Sequence, residues 1–369
     1  MVRIKRVILY VNKIILVGII LLLPIFSIIG IVSLNFNSDL APIKGPHELP
    51  ALPLKDPPEG NTLLLVHGYG LSAKIHYEDT YTDPYIISFY NSVVPIDYYG
   101  DVPSSAQTYS LGRSDFDFDT PIEDIALELK NFILNPNNSA LFYETIDVIG
   151  YSIGGLIIRY LIMNYYEEIK VANLTFENVL LIATPNHGAY HLNGLTNINV
   201  ILFAVLGVLF CLVLLFSDEE KKMLRLVSIL LCFIAMIFVN IILGSRILSV
   251  QAYQVQFGSD FLQNLNTGDE TPYSVDDSPP YNDINWSTFR GQGGGDFVLE
   301  RLLLFFSFIN EPNDGMINVN SVPLGDGAIN YGPYDRNHDE MVMFDTSIEE
   351  DRLYFNDIFY VLTGQSYPP

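Results

Sequence analysis

Apolar positions along the chain form two kinds of run. Three runs are long and uncharged, at 14–34, 200–216 and 226–244, and each has about the length a helix needs to cross ~30 Å of hydrocarbon. The others are short. TLLLVHG (62–68), VVPIDYYG (93–100), TIDVI (145–149), NVLLIATPNHG (178–188) and DINWSTFRG (283–291) read as strands bounded by turn residues. PIEDIALELKNFIL (121–134) and LIIRYLIMNYY (156–166) repeat apolar residues at helical spacing, the first with Thr120 as N-cap and Pro121 at N1. This βαβ rhythm predicts an α/β fold, a mostly parallel sheet with helices on both faces. Between about 190 and 283 the rhythm gives way to two long apolar runs and a polar tract, TGDETPYSVDDSPPYND. The expected layout is an N-terminal membrane anchor (1–36), the first part of a core (37–190), an insertion (191–283) carrying a transmembrane helical hairpin at about 198–245, and the second part of the core (284–369).

Composition and charge turn that layout into a topology. Of 369 residues 49% are hydrophobic and mean hydropathy is +0.27, more than a soluble enzyme needs and accounted for by the three long runs. The first run follows the basic MVRIKR, but it is too long for a signal h-region and lacks a small-x-small cleavage site. It reads as an uncleaved anchor. Seven of the 19 basic residues lie in the N-terminal tail and the hairpin loop SDEEKKMLR, so the positive-inside rule puts both in the cytoplasm. An anchor and a hairpin then leave the catalytic part on the outer face of a multi-pass membrane protein with three spans. That outer part keeps 39 of the 42 acidic residues against 12 basic ones, which disfavours nucleic acid as a partner. Both cysteines, Cys211 and Cys232, fall in the hairpin, so the outer part has no disulfide framework. Sequons at Asn137, Asn173 and Asn285 all lie in it.

Candidate chemistry centres on GYSIGG, where a strand-like run meets a helix-like one. Gly150-x-Ser152-x-Gly154 matches a nucleophile elbow, a turn so tight that only glycine fits on either side of the serine. A serine hydroxyl needs a general base, usually a histidine oriented by a carboxylate. In the order serine, acid, histidine, His338 in DRNHDEMV is the base, while His187 and His191, directly after a strand, read as loop histidines bonded to backbone. Two Asp-Gly turns offer the acid: Asp314, favoured, and Asp326. The oxyanion needs aimed N–H donors. Ile153, opening the helix, supplies one, and Tyr69 in the loop His67-Gly68-Tyr69-Gly70 supplies the other.

Taken in order, HGYG, GYSIGGLIIRY, ATPNHG, INWSTFRG, NDGMINVNS and NHDE resemble a lipase of the alpha/beta-hydrolase superfamily. The likeness spans roughly 60–345 and is nearest to bacterial triacylglycerol lipases and membrane-anchored deacylases of inositol-bearing lipids. It implies an alpha/beta-hydrolase fold, a triad of Ser152, Asp314 and His338, and oxyanion donors at Tyr69 and Ile153. It implies no cofactor beyond a structural calcium that some members bind through a carboxylate two residues past the histidine, here Glu340. The chief departure is the hairpin, which stands where these lipases carry their lid; it either helps lipid reach the serine or only tethers. The expected function is a membrane-anchored serine hydrolase, a lipase or esterase acting on membrane lipid at the bilayer. The same residues would serve a thioesterase or acyltransferase on lipidated substrates, and a largely non-catalytic binding protein on this fold is the other reading.

Overall fold

The computed structural model describes residues 61–70, 72–100, 108–189, 192, 249–266, 283–293, 312–325, 328–343, 345 and 347–367. They belong to one compact unit. Seven strands form its sheet: β1 (Asn61–Val66), β2 (Ser92–Asp97), β3 (Tyr109–Ser110), β4 (Thr145–Tyr151), β5 (Thr175–Ile182), β6 (Asn285–Gly291) and β7 (Ala328–Tyr334). Every pairing is parallel, in the order β3-β2-β1-β4-β5-β6-β7. Strands from both predicted parts of the core thus join one sheet. Because the chain moves outward from β1 to β3 and then returns to lay β4 on the other side of β1, the loops after β1 and β4 diverge. It is at such a point, outside the carboxyl ends of the strands, that open α/β sheets hold ligands.

Both faces of the sheet are apolar, as a sheet covered on two sides requires. Along β1, Leu64 and Val66 face one core and Leu63 and Leu65 the other, the period of two expected for a strand. Helices α3 (Ile122–Leu134) and α4 (Ile153–Val171) cover the first face; α1 (Ala73–Thr82), α2 (Pro84–Phe89) and α7 (Glu349–Thr363) cover the second. Two short helices, α5 (Val250–Gln254) and α6 (Asp260–Leu265), extend the first core. Helix α3 buries Ile122, Ile125, Leu129 and Ile133, each worth about 2 kcal/mol. Its expected cap differs. The hydroxyl of Thr120 accepts the N–H of Asp117, Pro121 takes the N-cap place, and the N–H of Ile122 donates to Gln254 Oε1 at 2.9 Å. A remote side chain thus does what the local threonine was expected to do.

Among the described residues no helix is long and apolar enough to cross a membrane. The anchor at 14–34 and the hairpin at 198–245 lie outside the described residues. Described residues before and after 198–245 come together. The N–H of Ala189 donates to Val255 O at 2.7 Å, and Gly188, at φ 98°, passes so close to Phe257 that a Cβ there would stand 2.6 Å from its Cα.

Candidate active site

Ser152 stands where β4 ends and α4 begins. Its φ of 52° and ψ of −124° lie outside the ordinary regions for a residue with a side chain, a conformation costing about 1–3 kcal/mol that the surroundings must enforce. They do so through backbone: Ser152 N–H donates to Ile182 O at 2.8 Å, and Gly155 N–H donates to Ser152 O at 3.1 Å. The flanking glycines are there for room. A Cβ at Gly150 would stand 2.7 Å from Gly155 Cα, and one at Gly154 would run into the carbonyl oxygens of Val66 and His67. Gly68 is as tight, 2.8 Å from Tyr151 Cδ1 and 3.0 Å from Ser152 Cβ for an added Cβ.

His338 caps a 3-10 turn (Asp339–Met341) after β7, and Asp314 lies in a bend between β6 and β7. Asp314 Oδ2 lies 2.8 Å from His338 Nδ1, and His338 Nε2 lies 3.0 Å from Ser152 Oγ. A carboxylate can only accept, so Nδ1 carries the proton and Nε2 faces the serine hydroxyl as an acceptor. Backbone contacts hold the pair. His338 N–H donates to Asp314 O at 2.7 Å, and Tyr151 OH, from the elbow strand, donates to His338 O at 3.1 Å. Asp314 Oδ1 accepts the N–H groups of Met316 at 2.9 Å and Ile317 at 2.6 Å. That tight Asx turn is possible because Gly315 adopts φ 102°. Asp314 is 1% exposed, and Ser152 and His338 are 8% exposed each.

The other expected residues are placed as follows. Asp326 and His191 lie outside the described residues. His187 is bonded to backbone as expected, with Nε2 3.0 Å from Pro323 O, and burial, aided by Arg159, pushes its pKa down to about 4. Ile153 opens α4, whose 19 residues direct the positive end of a helix dipole at the turn. Tyr69 follows β1, with its hydroxyl 3.0 Å from Ser249 Oγ. Glu340 Oε2 accepts the N–H of Asn337 at 2.8 Å, and among the described residues no cluster of three or more His, Cys, Asp or Glu could hold a metal ion.

Two buried histidines escape sequence reasoning as functional residues. His76 sits on the buried face of α1, with Ala73, Tyr77 and Thr80 at i, i+3, i+4 and i+7. The spacing was readable, but the face is too poor in aliphatics to announce a helix. His67 lies within HGYG, where the glycines mark a turn and nothing in the pattern marks the ring.

Residues 101–217 match the family model described as "Putative serine esterase (DUF676)". That stretch contains the elbow. The chain is an ester hydrolase with a serine nucleophile. No curated protein matches it. Among solved structures it is similar to the Bacillus licheniformis lipase BlEst2 in mature form (15% identity, TM-score 0.48, 85% of this chain and 96% of that one). It is also similar to the phospholipase PlaB of Legionella pneumophila (14%, 0.42, 72% and 45%) and to the lipase of Staphylococcus hyicus (11%, 0.40, 88% and 97%).

Proposed function

We propose that this hydrolase is membrane-anchored and cleaves carboxylic esters of lipids, with Ser152, His338 and Asp314 as its triad. The observation that carries the proposal is the unbroken line from Asp314 Oδ2 through the His338 ring to Ser152 Oγ. Ser152 Oγ attacks the ester carbonyl while His338 Nε2 takes its proton, and Asp314 stabilises the imidazolium through Nδ1–H. The tetrahedral oxyanion receives the N–H groups of Tyr69 and Ile153. As it collapses, the C–O bond to the alcohol breaks and His338 returns the proton to the leaving oxygen. Water then repeats the sequence on the acyl-serine, releasing the fatty acid and restoring the hydroxyl.

Lipid at a bilayer is the substrate that the rest of the chain suits. Three long apolar runs would tether the enzyme with its basic segments in the cytoplasm and its acidic catalytic part outside. The segment leaving the hairpin meets the oxyanion loop through Ser249 and Tyr69, so the hairpin would bring membrane close to the nucleophile. The test compares lipids extracted from bilayers incubated with wild type and with Ser152→Ala. Free fatty acid and the matching deacylated lipid should accumulate with wild type alone. Equal products from both proteins would contradict the proposal.

A further inference from the structure

Gly68, the residue before the Tyr69 amide, is gripped by three buried rings. Its carbonyl oxygen lies 2.7 Å from His67 Nδ1 and accepts from Tyr98 OH at 3.0 Å, a hydroxyl shared with the carbonyl of His67, also at 3.0 Å. Its N–H donates to His76 Nδ1 at 3.3 Å. Because a carbonyl can only accept, the proton of His67 resides on Nδ1. Burial pushes the pKa of His67 down to about 3, so the ring is neutral and remains that donor. Burial also raises the pKa of the Tyr98 hydroxyl well above its ordinary value, which keeps its proton in place. The two donors brace each other, since the His67 and Tyr98 rings stack 3.9 Å apart at 6°.

A trans peptide is planar, with its C=O and N–H pointing in opposite directions. The oxygen of Gly68 and the N–H of Tyr69 belong to one such unit, so whatever fixes the oxygen fixes the direction of the N–H. From this geometry we infer that Tyr98 and His67 are positioning residues: by clamping the Gly68 oxygen from behind, they aim the Tyr69 amide at the oxyanion formed on attack by Ser152. The inference deepens the proposed reaction and rests on it. Its physical basis is that an oxyanion donor helps only when it is oriented before charge develops.

Tyr98→Phe in the full-length chain keeps the stacked ring and deletes the hydroxyl. With a soluble short-chain ester, kcat should fall about tenfold or more with KM little changed, as a mis-aimed donor should. Labelling by a fluorophosphonate should slow in proportion. Tyr77→Phe is the control for mere structure. It removes another buried hydroxyl, bonded to Val66 O at 2.9 Å and Ile149 O at 3.2 Å, and should lower the melting temperature while largely sparing kcat. Should Tyr98→Phe fail to fold, His67 decides: His67→Asn, which keeps an N–H donor, should retain most of the activity that His67→Leu loses. An unchanged kcat in Tyr98→Phe, a loss no larger than in Tyr77→Phe, or equal losses in the two His67 variants would overturn the inference. Wild type that a fluorophosphonate does not label at Ser152 would instead overturn the reaction beneath it.

Discussion

Ser152 and His338 reach the same point by different means. Ser152 is fixed by large elements: a strand with neighbours on both sides before it, a 19-residue helix after it, and close-packed backbone on either side where no Cβ fits. His338 and Asp314 stand on loops, held by hydrogen bonds between those loops and by one tyrosine hydroxyl from the elbow strand. At the elbow, position and stability are therefore one property, because the turn cannot change without disturbing the core. In the acid–base loops they separate, since each side chain can be changed while the sheet behind it stays packed.

The largest effect should come from the loops and leave folding alone. His338→Ala and Asp314→Asn should each lower kcat by about 10⁴-fold, since triad members act as a unit, while the melting temperature changes little. Circular dichroism with steady-state kinetics checks both. A large loss of folded protein in either variant would erase the contrast between loop and elbow.

The elbow should behave in the opposite way. In Gly154→Ala the new methyl would meet the carbonyl oxygens of Val66 and His67, backbone atoms with no rotamer to yield. We expect a loss of about 3 kcal/mol of stability or failure to fold, measured by denaturant titration. A stable Gly154→Ala with reduced activity would show that the elbow, too, separates position from stability.

A smaller effect concerns pH and the chain beyond the next strand. Burial lowers the pKa of His187 from 6.5 in the unfolded chain to about 4 in the folded one. Between those values the unfolded state binds more protons, so His187 favours folding above pH 6.5 and loses that contribution as pH falls toward 4. His187→Gln should flatten the fall in stability across this window by about 1.4 kcal/mol per pH unit. Unfolding titrations at intervals from pH 7 to 4.5 measure the slope. An identical slope in wild type and variant would mean that the ring is not buried neutral.

The same division between large elements and loops explains what the sequence disclosed. Strands β1, β2, β4, β5 and β6 are legible because a sheet covered on both faces needs apolar runs, and those runs end in glycine or a tight turn. β7 is not: AINYGPY has a glycine and a proline within it, both of which argue against a strand. Helix α1 stayed hidden because it buries tyrosine, histidine and threonine beside a single alanine, which blurs the helical period, and α2, six residues long with Ile86 and Phe89 buried, is too short to show one. At the site, Ser152 and His338 follow from a motif and from chain order. Asp314 and Asp326 stand in similar Asp-Gly sequences that local pattern does not tell apart, and the contact of Asp314 with His338 spans 24 residues. The contacts on Gly68 leave no trace in the sequence, because Tyr98 reaches its oxygen and His76 its N–H only once β1, β2 and α1 have packed.

The central claim is that Ser152 is activated by His338. It is tested most directly by exposing the full-length protein to a fluorophosphonate and mapping the modified peptide, with His338→Ala alongside. The account predicts a single adduct on Ser152 in wild type, formed orders of magnitude more slowly in His338→Ala. Folded wild type without an adduct at Ser152, or with labelling as fast when His338 is absent, would contradict it.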